Sequence, residues 1–342
     1  MSEKVLSIKQ LTAAFLYGGK PVPVVMDISY DLYEGEVLGI VGESGSGKSV
    51  TAKHVMQLLP SPPSSILGGE IVLDGETIVH TDENGKVHKR KEKQMQQIRG
   101  NKVAMIFQEP MTSLNPVYTC GDQIVEAICL HQKVSKAEAQ KRAIEMLDLV
   151  GITMPEKRMK NYPHELSGGM RQRVMIAMAL CCNPKLLIAD EPTTALDPTI
   201  QAQIIDLLKD IRKKMNMSIM YITHDLGVVA ETCDRVVVMY AGMVQEIASV
   251  HDLFYDPMHP YTLGLMQAMP RLGQKKNRLY NIQGTVPHIT QMPEGCHFHP
   301  RCPYATEACS KAIPELKDLG NGHCVRCFHY EKVKEENANG TA

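Results

Sequence analysis

Residues near the N-terminus have the types and spacing needed to hold a polyphosphate. A pattern of glycine, four residues and then Gly-Lys-Ser is matched by Gly42-Glu43-Ser44-Gly45-Ser46-Gly47-Lys48-Ser49. The largely apolar run 36–41 before it predicts a buried strand, and 50–59 after it has no Gly or Pro and predicts a helix. Glycines let successive backbone N–H groups point at phosphate oxygens, and a helix N-terminus adds positive potential. This context predicts a phosphate loop in which Lys48 reaches the β- and γ-phosphates and the Ser49 hydroxyl binds Mg²⁺.

Two carboxylates follow a second apolar strand. The run 185–189 is apolar apart from its first residue and is closed by Asp190 and Glu191. In an open α/β sheet the carboxyl ends of the strands form the edge where ligands bind. Asp190 is therefore predicted to hold Mg²⁺, directly or through water, and Glu191 to act as the general base on the attacking water.

Other side chains are candidates only in combination with these motifs. Gln108, at the end of a predicted strand over 102–107, can reach the metal or the attacking water, and His224, after a strand over 218–223, can donate to a γ-phosphate. Taken singly, a glutamine or histidine at such a position is more often structural. Phe15 and Tyr17 are candidates for stacking on a nucleotide base, or are simply aromatic residues of a strand.

Composition and length limit the classes of protein. The chain has 342 residues, a formal net charge of −1 and ten cysteines. The absence of a strong basic charge gives no support to nucleic-acid binding. No apolar run is long enough to span a bilayer, and the N-terminal residues lack a signal-peptide core. We therefore expect a soluble, cytosolic protein that can still dock onto a membrane partner.

The pattern of predicted elements indicates an α/β protein. Apolar strands alternate with helical segments, which favours a largely parallel sheet covered on both faces. Residues 121–151 are predicted to be helical and to form an insert. Beyond residue 250 the helical periodicity fades while Pro, His and Cys become frequent, so we expect a separate small domain there.

Together these motifs resemble the ATPase subunits of ABC transporters. The phosphate loop, Gln108, Leu166-Ser167-Gly168-Gly169-Met170, the 190–191 acids, Ala195-Leu196-Asp197 and His224 occur in that family's order. The resemblance covers about residues 5–250 and implies a phosphate-loop NTPase core with a helical subdomain at about 112–165. It implies ATP and Mg²⁺ as cofactors, with Gln108 also near the metal and with Val50 and Asp197 among the nucleotide-binding residues. It further implies that Ser167, Gly168 and Gly169 face the phosphate loop of a second subunit, so that two subunits enclose two ATP molecules.

The C-terminal residues resemble those of oligopeptide and dipeptide importers. His259-Pro260-Tyr261-Thr262 resembles the motif that opens their C-terminal extension, which here would span 251–342 after an ATPase domain of 1–250. In several members of that branch four cysteines hold an iron–sulfur cluster. The resemblance implies a [4Fe–4S] cluster on Cys296, Cys302, Cys309 and Cys327, with Cys324 as the alternative fourth ligand. A zinc site or free thiols are the other interpretations.

The functional expectation is therefore an ATP-hydrolysing subunit of a peptide importer. The resemblance implies a second ATPase subunit, two membrane-spanning permease subunits and an extracytoplasmic peptide-binding protein as partners, with no nucleic acid. It places the chain on the cytoplasmic side of the membrane. The rival interpretation is a soluble ABC-type ATPase of DNA repair or translation. Such proteins usually have paired ATPase domains or long coiled coils, whereas this chain has one phosphate loop and no heptad run. A redox protein using the cysteines would leave the ATPase motifs unexplained.

Overall fold

A computed structural model describes residues 3–108, 113–194, 196–269 and 281–338. The chain divides into two compact units. The first unit is built mainly from Leu32–Glu36 and Arg90–Ile222, and the second from Leu6–Asp31, Val37–Lys89 and the chain after Ile222. Each unit is described by itself below.

The secondary-structure elements are numbered in chain order. The strands are β1 (Lys4–Tyr17), β2 (Lys20–Tyr33), β3 (Val37–Val41), β4 (Ser64–Leu73), β5 (Glu76–Thr81), β6 (Val87–Lys89), β7 (Val103–Ile106), β8 (Leu186–Asp190), β9 (Ser218–Ile222), β10 (Arg235–Tyr240), β11 (Met243–Ser249), β12 (Lys317–Asp318) and β13 (Cys324–Val325). The helices are α1 (Lys48–Val55), α2 (Glu92–Ile98), α3 (Cys120–His131), α4 (Lys136–Leu149), α5 (Pro155–Arg158), α6 (Gly168–Leu180), α7 (Pro198–Met215), α8 (Leu226–Thr232), α9 (Val250–Tyr255), α10 (Pro260–Ala268), α11 (Glu307–Lys311) and α12 (Tyr330–Ala338). Short 3₁₀ helices span Pro163–Glu165, Ile289–Gln291 and His299–Arg301.

The first unit contains three neighbouring parallel strands, β7, β8 and β9. Every residue of these strands is buried. Continuous apolar strands of this kind are typical of parallel sheets covered on both faces. Because the strands run in the same direction, the polar residues that follow β7 and β8 lie at one edge of the sheet.

The second unit has two groups of strands. An antiparallel sheet has the order β2-β1-β4-β5-β6. In the other group, β3 pairs in parallel with β10, and β10 pairs in an antiparallel manner with β11. The two-residue strand β13 then pairs with β11, and β12 pairs with β13. Residues near the C-terminal end therefore extend the sheet that carries β3.

A buried aromatic cluster joins the distant segments of the second unit. The ring centroids of Tyr240 and Tyr261 are 4.8 Å apart, and that of Phe298 is 5.2 Å from Tyr240 and 5.4 Å from Tyr261. All three rings are fully buried. Such offset and edge contacts are favourable beyond the burial of their area, so the cluster anchors the C-terminal residues to β10.

The helices of the structure can be compared with the sequence in two regions, the predicted helical insert and the residues beyond 250. The helical insert is present as α3 and α4, capped by the side chains of Thr119 and Ser135. Beyond residue 250, where the helical periodicity of the sequence fades, the structure still contains the helices α9, α10 and α12. These helices have six to nine residues, too few turns to produce a clear periodicity in the sequence. Among the helices of the described ranges, none combines the length and apolar character required to cross a membrane.

Candidate nucleotide site and cysteine group

The phosphate loop lies between β3 and α1 and depends on its glycines. Gly42, Gly45 and Gly47 have φ angles of +149°, +81° and +96°. A Cβ at Gly42 would lie 2.0 Å from the carbonyl oxygen of Met239, which is far inside van der Waals contact. No side chain caps the N-terminus of α1 at Gly47. The loop therefore presents backbone N–H groups and a helix N-terminus, the arrangement that binds phosphate.

Lys48 is folded against this loop. Its Nζ donates to the carbonyl oxygens of Gly42 at 2.6 Å and Glu43 at 3.0 Å, and lies 3.3 Å from the Ser46 hydroxyl. Lys48 and Ser46 are buried, whereas Ser44 and Gly45 are exposed. Ser49 and Val50 follow in the first turn of α1 and are half-buried. The ammonium group thus lies within the loop that is predicted to bind phosphate.

His224 lies in the same unit as the loop. It follows Thr223, whose hydroxyl accepts the N–H of Asp225 at 3.0 Å. The Asp225 side chain caps α8 by accepting the N–H groups of Gly227 and Val228. His224 itself is exposed. Capping by its neighbour therefore fixes the backbone from which the imidazole projects.

Gln108 and Glu191 are brought together in the first unit. The amide Nε2 of Gln108 donates to Oε2 of Glu191 at 3.0 Å, and the Thr194 hydroxyl donates to the same oxygen at 2.9 Å. Glu191 has a φ angle of +48°, an uncommon conformation for a residue with a side chain. Asp190, the last residue of β8, is buried. The carboxyl ends of β7 and β8 therefore place three of the predicted polar groups at one sheet edge.

The Ser-Gly-Gly segment opens α6 in the first unit. Ser167 is the N-cap of this helix, and its hydroxyl accepts the N–H of Met170 at 3.4 Å. A Cβ at Gly169 would lie 2.9 Å from Cγ2 of Ile200, so a larger residue there would require the Ile200 side chain to shift. Ser167 is exposed and Gly168 and Gly169 are half-buried. The N-terminus of this thirteen-residue helix carries a partial positive charge, which favours anions.

Asp197 caps a helix, whereas no contact in the structure tests whether Phe15 or Tyr17 stacks on a nucleotide base. The Asp197 side chain caps α7 by accepting the N–H of Ile200 at 3.0 Å. Ala195, of the same motif, lies outside the described residues. Phe15 is half-buried and is paired with Ser64 across the antiparallel sheet. Tyr17 is exposed, and its ring meets that of His288 edge-on at 6.3 Å between centroids. Both aromatic residues therefore remain predictions for the base.

Four C-terminal cysteines lie close enough to interact electrostatically. The pKa of the Cys327 thiol is raised to about 12, mainly by burial and also by the other three members of the predicted set, Cys296, Cys302 and Cys309. Burial also raises the pKa of Cys302 to about 11, with contributions from Cys296 and Cys309. Cys324 lies on β13, and after burial the next contribution that raises its pKa comes from Asp318, not from another cysteine. The structure thus groups Cys327, rather than Cys324, with the other three.

Comparison with known proteins gives the family. One family model, described as ABC transporter, matches residues 25–194, and another, described as oligopeptide/dipeptide transporter, C-terminal region, matches 245–309. A probable peptide ABC transporter ATP-binding protein of Sinorhizobium fredii is 50% identical over 334 residues, which cover 97% of each chain. The oligopeptide transport ATP-binding protein AppD of Bacillus subtilis is 49% identical over 332 residues, covering 97% of this chain and 98% of that one. This chain belongs to the ABC transporter ATP-binding subunits of the oligopeptide/dipeptide type.

The fold comparison agrees with this assignment. A dimeric, post-hydrolysis ATP-binding cassette bound to ADP and Pi superimposes with a TM-score of 0.61 at 27% identity, covering 72% of this chain and 98% of that one. The α/β, phosphate-loop class predicted from the sequence is therefore confirmed. As a member of this family the chain is an ATPase subunit. The rival assignment to DNA repair or translation finds no support, because the C-terminal match is to a peptide-transporter region.

The sequence motifs missed two residues that contact the phosphate loop of this ATPase subunit. The carboxylate of Glu43 is bound by the guanidinium of Arg301, and its backbone N–H donates to the hydroxyl of Tyr261. Tyr261 belongs to the His259–Thr262 motif, and Arg301 precedes Cys302. These motifs indicated that the C-terminal region has a function. They did not indicate that residues of this region contact the phosphate loop.

Proposed function

We propose that this subunit binds and hydrolyses Mg²⁺-ATP to drive the uptake of dipeptides and oligopeptides. The observation that carries the proposal is similarity over nearly the whole chain to proteins named for peptide transport, including the C-terminal region. The proposed division is an ATPase domain of residues 1–250, with its helical subdomain at about 112–165, and an extension of 251–342. Site geometry within each unit is consistent with hydrolysis.

The proposed roles follow from the chemistry of each group. The loop 42–47, Lys48 and Val50 bind the phosphates, and Ser49, Asp190 and Gln108 supply oxygen ligands suited to Mg²⁺. Glu191 takes a proton from the attacking water, and His224 donates to the γ-phosphate. The hydrogen bonds from Gln108 and Thr194 support the role of Glu191, because they hold one carboxylate oxygen in a fixed direction. Asp197 and one of the aromatic residues Phe15 and Tyr17 complete the nucleotide contacts.

A second ATPase subunit is proposed to complete each site. Ser167, Gly168 and Gly169 at the start of α6 would bind the γ-phosphate of nucleotide held by the other subunit. The exposed side chain of Ser167 and the N-terminal position of this segment support the proposal. ATP then stabilises the dimer and hydrolysis releases it, so the nucleotide shifts an equilibrium between two arrangements.

The helical subdomain is the proposed docking surface for the membrane-spanning subunits. A groove of about 820 Å³ is lined by residues of α3 and by flanking residues that include Tyr118 and Lys136. Leu130 at this groove has 76% of its surface exposed, and Val117 nearby in sequence is also exposed. We propose that the segment 110–116 takes part in the same contact, and this segment lies partly outside the described residues. The proposed partners are two permease subunits and an extracytoplasmic peptide-binding protein, and no nucleic acid is proposed as a partner. Association with the permeases would place this chain on the cytoplasmic side of the membrane.

Reconstitution tests this function. The subunit, its partner ATPase and the permeases would be placed in vesicles with the binding protein, and uptake of a labelled peptide would be measured with and without ATP. We expect uptake that requires ATP. Leu130→Asp should reduce uptake and leave ATP binding by the isolated subunit unchanged. Ile313→Asp places the same charge at an exposed apolar position of the second unit and serves as the control. ATP-dependent transport of other solutes, with no peptide uptake, would refute the peptide assignment.

We propose further that the C-terminal cysteines hold a [4Fe–4S] cluster, with Cys296, Cys302, Cys309 and Cys327 as ligands. The electrostatic interaction of Cys302 and Cys327 with the other thiols of the set supports binding of one shared metal group. Among the described residues, no group of three or more His, Cys, Asp or Glu side chains is arranged to hold a metal ion. The cluster is therefore proposed from the resemblance of the cysteine pattern and from the interaction of these thiols. Its role would be structural, because ATP hydrolysis transfers no electron.

Metal analysis of anaerobically purified protein tests the cluster. We expect brown protein with about four irons per chain. Cys327→Ser should lose iron and Cys324→Ser should keep it, because Cys324 is not grouped with the other thiols. Colourless protein with stoichiometric zinc would refute the cluster.

A further inference from the structure

The C-terminal extension contacts the phosphate loop at one loop residue, Glu43. Nη1 of Arg301 lies 3.1 Å from both carboxylate oxygens of Glu43. The backbone N–H of Glu43 donates to the hydroxyl of Tyr261 at 2.9 Å. Both partners come from segments more than two hundred residues further along the chain, and all three residues lie in the second unit. The loop is therefore held from outside its own strand–loop–helix.

Arg301 is fixed in place by acceptors other than Glu43. Its Nε donates to the carbonyl of Gln283 at 2.9 Å, its Nη2 to the carbonyl of Ile282 at 3.3 Å and its Nη1 to the hydroxyl of Tyr240 at 3.3 Å. Only 7% of the Arg301 side chain is exposed, against 30% of Glu43. The arginine is thus the rigid member of the pair, and the carboxylate of the loop is its counter-ion. An exposed ion pair would contribute little, but a partly buried pair with a planar, preorganised donor is stronger.

Tyr261 is equally constrained. Its ring belongs to the buried aromatic cluster with Tyr240 and Phe298. Burial raises the pKa of the Tyr261 phenol, so the hydroxyl is neutral and can accept the Glu43 N–H. The Tyr261 hydroxyl therefore holds the backbone N–H of Glu43, near the start of the loop, in a fixed position.

Glu43, which is held by Arg301 and Tyr261, also contacts the groups of the loop that are predicted to bind phosphate. Its carbonyl oxygen accepts from Nζ of Lys48, and it also accepts the N–H of Ser46 at 3.2 Å. Backbone N–H, backbone carbonyl and side chain of Glu43 are all engaged, two of them by the extension and one by the loop itself. A rotation of Glu43 would therefore disturb the position of the Lys48 ammonium group. It would also disturb the turn from Glu43 to Ser46, which orients the backbone N–H groups of the loop.

We propose that Arg301 and Tyr261 are positioning residues for the phosphate loop, through which the C-terminal extension sets the affinity of the subunit for ATP. The inference rests on the proposed binding of nucleotide by this loop. The two residues need not touch the nucleotide. They hold the loop in its binding conformation before ATP arrives, which reduces the ordering cost of binding.

A double-mutant cycle on the full-length subunit tests this. Arg301→Gln and Glu43→Gln would each be titrated with Mg²⁺-ATP, and we expect each to raise Kd about five- to tenfold. Because both changes remove the same contact, the double variant should raise Kd no more than either single variant. Arg301→Lys should recover part of the loss, since it keeps the charge but not the planar fork. Tyr261→Phe should also raise Kd, by removing the acceptor for the Glu43 N–H.

Asp27→Asn is the matched control. Asp27 pairs at 2.9 Å with Arg326, another buried arginine of the extension, which does not bind the loop. This variant removes one carboxylate and one arginine pair, as Glu43→Gln does, and should leave Kd within about twofold of the parent. The comparison separates an effect on the loop from a general loosening of the extension.

Melting temperature and Kd together decide the outcome. A lower melting temperature with unchanged Kd in both Arg301→Gln and Glu43→Gln would overturn the proposal, as would additive losses in the double variant. If Arg301→Gln does not fold, Glu43→Gln and Tyr261→Phe test the same contacts from the loop and from α10. A parent subunit that fails to bind ATP would instead refute the proposed function, so the two failures are distinguishable.

Discussion

At the scale of single residues, the backbone and side chain of Glu191 are both fixed by hydrogen bonds, as expected for the proposed general base. Its φ angle of +48° is uncommon for a residue with a side chain, and its backbone N–H donates to the carbonyl of Ile222 at 2.9 Å. Gln108 and Thr194 both donate to the same carboxylate oxygen. Unusual backbone conformations of this kind persist where the surrounding structure fixes them, and they cluster at functional sites.

Replacing Glu191 by Gln should preserve ATP binding and reduce turnover by about 10²- to 10⁴-fold, because the amide keeps the shape but cannot take the proton. The measurement is steady-state ATPase activity of the reconstituted complex, with nucleotide affinity determined separately. Glu145→Gln, an exposed position on α4, is the matched control. Turnover close to that of the parent in Glu191→Gln would remove this residue from the role of general base.

At the scale of elements, the N-terminus of α10 depends on a buried histidine. Nδ1 of His259 accepts the N–H of Tyr261 at 3.0 Å, and burial lowers the pKa of His259 to about 3 from 6.5. A protonated Nδ1 could not accept this hydrogen bond. Because α10 carries Tyr261, this cap also supports the residue that binds the loop.

Acid should therefore destabilise the second unit through His259. The folded-state pKa lies below the unfolded value, so the unfolded chain takes up the proton first. The stability that depends on neutral His259 is fully present above about pH 6.5 and is lost as the pH falls towards the folded-state value. Melting temperatures measured from pH 7.5 to 4.5 should show a smaller fall for His259→Asn, which keeps an acceptor but does not titrate. His251→Asn, at an exposed position, is the control, and equal slopes in both variants would contradict the assignment.

Elements with strong local signals were predictable, and those that depend on distant contacts were not. The glycines of 42–47 permit the positive φ angles that the loop adopts, and the apolar run before Asp190 forms the buried strand that its pattern favours. By contrast, the pairing of β13 with β11 uses two residues and leaves no alternation to read. Arg301 and Glu43 are separated by 258 positions, and nothing in either neighbourhood specifies the other. Tertiary packing, not local preference, brings them together.

At the scale of the whole molecule, the isolated subunit should be a poor ATPase. If Ser167, Gly168 and Gly169 act on nucleotide held by another subunit, a monomer lacks half of its site. The dimer population rises with the square of monomer concentration when dimers are rare, so activity per mole should rise in proportion to concentration. The measurement is specific ATPase activity over a hundredfold dilution, with the partner subunit added at the lowest concentration. Full activity that is independent of dilution would contradict the shared site.

The cysteine group and the nucleotide site should also be coupled within one subunit. Arg301 lies immediately before Cys302, so a change that releases this cysteine from the proposed cluster would loosen the segment from which the arginine reaches Glu43. We expect Cys302→Ser to raise the Kd for Mg²⁺-ATP about as much as Arg301→Gln does, and to cause little further loss in an Arg301→Gln background, because both changes act through one contact. Cys324→Ser, which alters the same extension away from Arg301, should leave Kd near the parent value. If Cys302→Ser loses iron but binds ATP as tightly as the parent, the extension holds its own structure without acting on the loop, and the coupling is refuted.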